Sequence, residues 1–207
     1  MATYIGAAVA EGNSTTPAVT LNHSAGDNIC SVFIVHTSKE PASVTFDGSG
    51  TGVVLAHSEI TQTDFRVYIY VKFGVLAGSH TWSSTITSSA WLAECVQANN
   101  ATWIKSVTQS NSASSTGWSL TVNPLATGDL LLGGDTWEYG HGTHATTAGT
   151  QIVNDTQALT IGAGAAYIVG NDGSRSLSWT SAGATPYCAA GIVLTMGGGQ
   201  VMIWSNE

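Results

Sequence analysis

Apolar and polar residues alternate most clearly over 65–73, where Phe65, Val67, Ile69, Val71 and Phe73 fall on one side of an extended backbone and Arg66, Tyr68, Tyr70 and Lys72 on the other. A turn-like Gly74-Val75-Leu76-Ala77-Gly78 follows, and alternation resumes over 79–87. The pattern predicts two adjacent antiparallel strands with one face buried. Much of the chain repeats this style. Residues 2–10 read as a first strand, with a loop over 11–16, and 17–23 sets Val19, Leu21 and His23 against Ala18, Thr20 and Asn22. The run 28–37 is apolar almost throughout, as in a strand buried on both faces. Strands are also expected at 43–46, ahead of an Asp47-Gly48-Ser49-Gly50 turn, and at 52–60, 118–122, 129–137, 146–153, 159–169, 175–179 and 187–196. A helix can claim only 90–98, where Trp91, Cys95 and Ala98 share a helical face. That segment has no capping box, since Trp91 and Leu92 stand three residues after Ser88 and Ser89, and it is assigned as a strand. A polar loop is expected over 106–116 and an exposed loop over 137–144.

About a dozen short strands and no convincing helix make an antiparallel β-sandwich the economical packing. No repeat of fixed period is found, which sets aside propellers and solenoids. One domain is expected over 1–196. Gly197, Gly198 and Gly199 then form a hinge before Val201, Met202, Ile203 and Trp204, so 197–207 reads as a flexible tail.

Composition narrows the partners. Charged residues make up only 9% of the 207 residues, against 43% hydrophobic ones, and the polarity comes from Ser and Thr instead. Thirteen acids face Lys39, Lys72, Lys105, Arg66 and Arg175, for a net charge of −8. No cluster of cations exists to displace phosphate counterions or to hold an anionic membrane, so neither nucleic acid nor membrane is expected as a partner. Cys30, Cys95 and Cys188 are odd in number and far apart, which reads as buried reduced thiols rather than a disulfide framework or metal motif. The start Met1-Ala2-Thr3-Tyr4 lacks a basic and then apolar leader, so a chain not exported by a signal peptide is expected.

Candidate chemistry is sparse. A glycosidase needs two carboxylates facing each other across a cleft. Asp135 and Glu138 are the best local pair, and solvated loop acids are the default reading for them. His141 and His144 could ligate a metal, but they lie in a Gly-flanked stretch without H-E-x-x-H spacing, and no cofactor is expected. Asn171-Asp172-Gly173-Ser174 reads as a turn before it reads as a calcium loop. Aromatics are the better contact candidates. Tyr68 and Tyr70, beside Arg66 and Lys72, would meet a sugar or protein if their face is open, and would be packing residues if a second layer covers it. Trp137 and Tyr139 are expected exposed on a loop, and Trp204 on its hinge is a candidate to dock on a neighbouring subunit.

Three stretches carry a family resemblance: the aromatic strand, Ala-Gly turn and Thr-rich strand of 65–87; Leu120-Thr121-Val122 leading to Asp129-Leu130-Leu131-Leu132-Gly133-Gly134; and Ser178-Trp179-Thr180 preceding Ala189-Ala190-Gly191. Together they resemble jelly-roll, concanavalin-like β-sandwich proteins of tailed bacteriophages, among them head decoration, head fibre and tail-associated proteins. The likeness extends over 16–196 and leaves the tail outside it. It implies a non-enzymatic virion structural protein, foremost a capsid decoration protein, with the major capsid protein or other virion proteins as partners and a homo-oligomeric state. The alternative it leaves open is a carbohydrate-binding module or adhesin for a host surface glycan.

Overall fold

The computed structural model describes residues 1–60, 65–87, 90–138, 144–155 and 161–197. Every regular element among them is a β-strand: β1 (Thr3–Asn13), β2 (Ala18–His23), β3 (Ile29–Thr37), β4 (Ser43–Phe46), β5 (Val54–Ile60), β6 (Arg66–Val75), β7 (Gly78–Thr85), β8 (Ala90–Asn99), β9 (Trp103–Leu125), β10 (Leu130–Glu138), β11 (His144–Ala148), β12 (Thr150–Asp155), β13 (Ile161–Val169) and β14 (Gly173–Thr195). All pairings are antiparallel. The all-β sandwich expected from alternation is the observed architecture. The segment 90–98 is strand β8, as assigned. The polar loop expected over 106–116 is instead part of β9, because a ladder to β14 satisfies its backbone whatever its side chains are. Gly197 is described; the rest of the expected tail lies outside the described residues.

One sheet runs β1-β8-β3-β6-β5 and a smaller one β2-β7-β4. The remaining strands form β11-β14-β10-β13-β12, with β9 alongside β14. β9 and β14 are 23 residues each, and their ladder breaks in register between Thr180 and Tyr187. At that break the ribbon folds over. Its distal half, where Leu120 pairs with Leu177 and Trp118 with Trp179, lies across the sheet made by its proximal half. The glycines show the contact: a Cβ on Gly133 or Gly191 would meet Leu120, and one on Gly149 would meet Leu177. The result is four stacked layers with an apolar core in each gap.

The two halves of the chain have the same topology. The order β1-β8-β3-β6-β5 with β2-β7-β4 recurs as β9-β14-β10-β13-β12, using the proximal ribbon, with β9-β14-β11, using the distal ribbon. Registers correspond as well. Val32 lies between Val96 and Val71, and Leu132 between Ile192 and Tyr167. The irregularity at Tyr4/Gly6 in β1 recurs at Ile104/Ser106 in β9, and that at Leu55/His57 in β5 recurs at Gln151/Val153 in β12. The expectation of no repeat is therefore corrected: the fold is an internal duplication whose two larger sheets pack face to face. Their shared core takes Val32, Ile34, Val67, Ile69 and Val96 from one half and Leu130, Leu132, Ala190, Ile192 and Leu194 from the other.

Candidate functional site: buried acid–histidine pairs beneath neutral outer faces

In β10, Leu130, Leu132, Gly134 and Thr136 turn toward the shared core, so Leu131, Gly133, Asp135 and Trp137 turn outward beneath the distal ribbon. Asp135 is thereby carried into an aromatic interior. Its Oδ2 accepts from Trp118 Nε1 (2.7 Å) and from His144 Nε2 (2.9 Å), and both side chains of the Asp135–His144 pair are 0% exposed. His144 Nδ1 donates to Asn154 Oδ1 (2.6 Å), while Asn154 Nδ2 donates to the His144 carbonyl (2.8 Å), which fixes the orientation of that amide. With both ring nitrogens facing acceptors, the site favours the protonated form of His144. Burial lowers its pKa, but the Asp135 charge and the hydrogen bonds to Asp135 and Asn154 outweigh burial, and the net shift is upward. Trp137 stacks on the His144 ring (3.6 Å between centroids, 12° between planes), an arrangement that favours a cation.

A second pair lies in the gap between the two larger sheets. His36 of β3 meets Glu94 of β8 at 2.9 Å, again with both side chains 0% exposed. His36 Nδ1 donates to Thr136 Oγ1 (3.0 Å), and that hydroxyl donates to the Arg66 carbonyl (3.4 Å). Burial raises the Glu94 pKa against the pull of His36, and the Asp135 charge raises it further. Acid–histidine pairs are the raw material of general acid–base catalysis, but a base must reach its substrate. Both pairs are sealed, and among the described residues no group of three or more His, Cys, Asp or Glu is placed to hold a metal.

The sequence-derived candidates are dispersed. Asp135 and Glu138 do not face one another: three positions apart on one strand, they sit on opposite faces, Asp135 inside and Glu138 exposed. Trp137, expected on an exposed loop, is in β10 and only 2% exposed, because the distal ribbon covers its face. Tyr68 and Tyr70, the open-or-covered face, are covered: Trp82, Phe46 and Val19 of the smaller sheet pack on them, and burial raises both pKa values. Arg66 Nη1 donates to Tyr68 Oη (3.3 Å), and Lys72 Nζ donates to the Thr51 carbonyl (2.5 Å) while lying 5.6 Å from the Phe46 ring centroid. His144, one of the metal candidates, is spent on Asp135; His141, Tyr139 and Trp204 lie outside the described residues. Asp172, in the connection between β13 and β14, ties it to the β9–β10 connection by accepting from Thr127 N (2.7 Å) and Thr127 Oγ1 (2.8 Å).

Sequence reasoning missed the outer faces of the stack. β2, β4 and β7 contain no Asp, Glu, Lys or Arg. Their solvent side is a lattice of hydroxyls bonded to one another across the strands: Thr20 to Thr81 (2.7 Å), Thr45 to Ser83 (2.9 Å) and Ser43 to Thr85 (2.9 Å). The opposite end of the stack carries the same device, with Thr121 bonded to Ser176 at 2.8 Å. The signal was present as Ser or Thr at alternate positions of β4 and β7, and it points to function only once those positions are known to face out. No protein-family model, curated protein or solved structure matches this chain.

Proposed function

We propose that this protein is a bacteriophage virion structural protein, a capsid decoration protein that acts by protein–protein binding and carries out no catalysis. The observation that carries the reading is the hydroxyl-paired face of β2, β4 and β7, strands without a single Asp, Glu, Lys or Arg, at one end of the layered stack, with the Thr121–Ser176 hydroxyl pair on the face at the other end. In a chain of net charge −8, such faces can meet a protein shell without desolvating an ion, and their hydroxyls are already partnered before contact. Three layer gaps of about 10 Å separate the two faces, so one molecule can bridge neighbouring subunits or stand between copies of itself. The sealed acid–histidine pairs and the family resemblance support the same reading. The glycan alternative is left without Tyr68, Tyr70 and Trp137 as stacking platforms, since all three are buried.

Cosedimentation with empty shells of the major capsid protein tests this. Saturable binding is expected, weakened tenfold or more by Thr45→Lys together with Thr81→Lys, which put charge on one outer face without touching a core. Absence of binding to empty shells overturns the reading.

A further inference from the structure

The β4–β5 and β6–β7 connections both run between the smaller sheet and the larger one, and they meet at His80 of β7. His80 Nδ1 faces Asp47 Oδ2 of the first connection at 2.6 Å, and its Nε2 faces the Leu76 carbonyl of the second at 3.0 Å. A carboxylate and a carbonyl only accept, so both contacts are hydrogen bonds only while each ring nitrogen carries a proton. A neutral ring keeps one N–H and turns a lone pair toward the other oxygen. The Asp47 carboxylate is the stronger acceptor, so the bond surrendered is the one to Leu76. Unlike the sealed acid–histidine pairs, this one reaches solvent: the His80 side chain is 18% exposed and that of Asp47 45%.

The two sides of this contact differ in rigidity. Asp47 Oδ1 accepts from Thr81 N (2.8 Å), and Asp47 N donates to the Thr81 carbonyl (2.8 Å), so the carboxylate is anchored to β7. The imidazole is held between Phe46, stacked on it at 5.0 Å, and His23, edge-on at 5.3 Å. The β6–β7 connection is only Leu76 and Ala77, flanked by Gly74 (φ 69°) and Gly78 (φ 136°), and a backbone with such glycines redirects at little steric cost. The titratable groups around His80 are Asp47, His23 and Lys72. Burial lowers the His23 pKa and the nearby His80 lowers it further, against the Leu21 carbonyl and Asp47, so His23 is the neutral member of the pair. Burial works against the Asp47 charge, but the bonds from His80 and Thr81 hold its carboxyl below the usual range. Lys72 of β6, bonded to the Thr51 carbonyl, brings a positive charge to the same Phe46 ring, 5.6 Å from its centroid. We propose that His80 is a proton-operated clasp: protonated, it ties the β4–β5 and β6–β7 connections together and seats the smaller sheet on the larger; deprotonated, it releases the β6–β7 connection. The clasp acts on the layer that bears the hydroxyl-paired face, and it stands without the capsid reading.

Imidazole nitrogen NMR and amide hydrogen exchange on the full chain test it across roughly pH 5–8, the range in which histidine changes charge. His80 is expected to carry protons on both nitrogens at the acid end. As Nε2 loses its proton, protection of the amides of 75–80, corrected for the intrinsic exchange rate, should fall about tenfold or more, the loss of one hydrogen bond to a charged group. Unchanged protection in β3 separates this step from a general loss of stability. In His80→Gln the step should disappear, with protection of 75–80 held at its alkaline level. Protection of 75–80 that stays constant while the His80 nitrogens titrate overturns the proposal, as does a step of the same size in His80→Gln. A single proton on His80 at every pH overturns it too, and the native-chain titration decides this even where the variant fails to fold.

Discussion

At Asp135 a carboxylate occupies a position where alternation in β10 otherwise places Leu131 and Trp137. It persists because Trp118 and His144 satisfy one of its oxygens and His144 supplies the opposite charge. Removing one partner from a buried pair leaves the other charge unsupported. Asp135→Asn is therefore expected to lose about 3–5 kcal/mol in urea denaturation at mildly acidic pH, with the His144 titration moving down by NMR; unchanged stability would refute the ionic description. The pH dependence follows from the shifts. A histidine with a raised folded pKa, such as His144, contributes stability that is complete below about pH 6.5 and lost as pH rises through the folded value. Glu94, also raised, acts in the same direction at lower pH, disfavouring the folded state once an unfolded glutamate would ionise. His23 and His57 are lowered by burial and act the other way, so stability falls when acid drives protons onto them below about pH 6.5. Stability is thus expected to peak near neutral to slightly acid pH. In His144→Gln the alkaline decline should flatten while the acid limb stays, and melts recorded across pH decide it.

Elements are built by different means in the two halves. Phe33, flanked by Cys95 and Tyr70, fills the first half's outer gap and stacks on Trp82 at 5.4 Å. The corresponding trio in the second half is Gly133, Gly191 and Ala166, and the missing volume comes from the facing layer as Leu120 and Leu177. Glycines beneath the distal ribbon, such as Gly133, Gly149 and Gly162, consequently have no room for a side chain. A Cβ on Gly162 would fall 2.0 Å from Trp137 Cε2, whereas one on Gly6 in β1 meets nothing within 4 Å. Gly162→Ala is expected to destabilise by about 1–3 kcal/mol through overpacking. Gly6→Ala should stabilise by about 0.4–1 kcal/mol by restricting the unfolded chain. Chemical denaturation of the two variants checks both signs, and equal effects would show that the contact at Trp137 relaxes freely.

On the scale of the molecule, the shared core belongs to neither half. Ile34 and Leu132 face each other's sheets within it, so each half completes the other's burial. Ile34→Ala and Leu132→Ala, one in each half, should each lose about 2–5 kcal/mol while preserving a single unfolding transition with coincident fluorescence and circular dichroism curves. A second transition in either variant would show that the halves unfold separately. The same arrangement presents two outer faces in opposite directions, each with hydroxyls paired across strands, the geometry behind the proposed decoration role.

Much of this was legible in the residues alone. Period-two alternation marked nearly every strand, and it put Val67, Ile69 and Val71 on a buried face, because strand geometry is local and burial of one face demands that pattern. The continuous apolar run of β3 likewise announced a strand covered on both sides. Alternation separates the two faces of a strand but does not say what covers each. Tyr68 and Tyr70 became core because Val19, Phe46 and Trp82, distant in sequence, fold over them. Trp137 and Asp135 became interior because a 23-residue ribbon bends back across β10. The duplication stayed hidden for a related reason. Packing constrains summed volume across a gap, not the residue at each position, so Phe33 and Gly133 can hold the same place in the fold with their partners exchanged. The sequence by itself determined most of the strands and their inner faces, because alternation is local; the tertiary structure alone decided the layers, the strand over 106–116, the pairing of buried charges and which faces remain open to a partner.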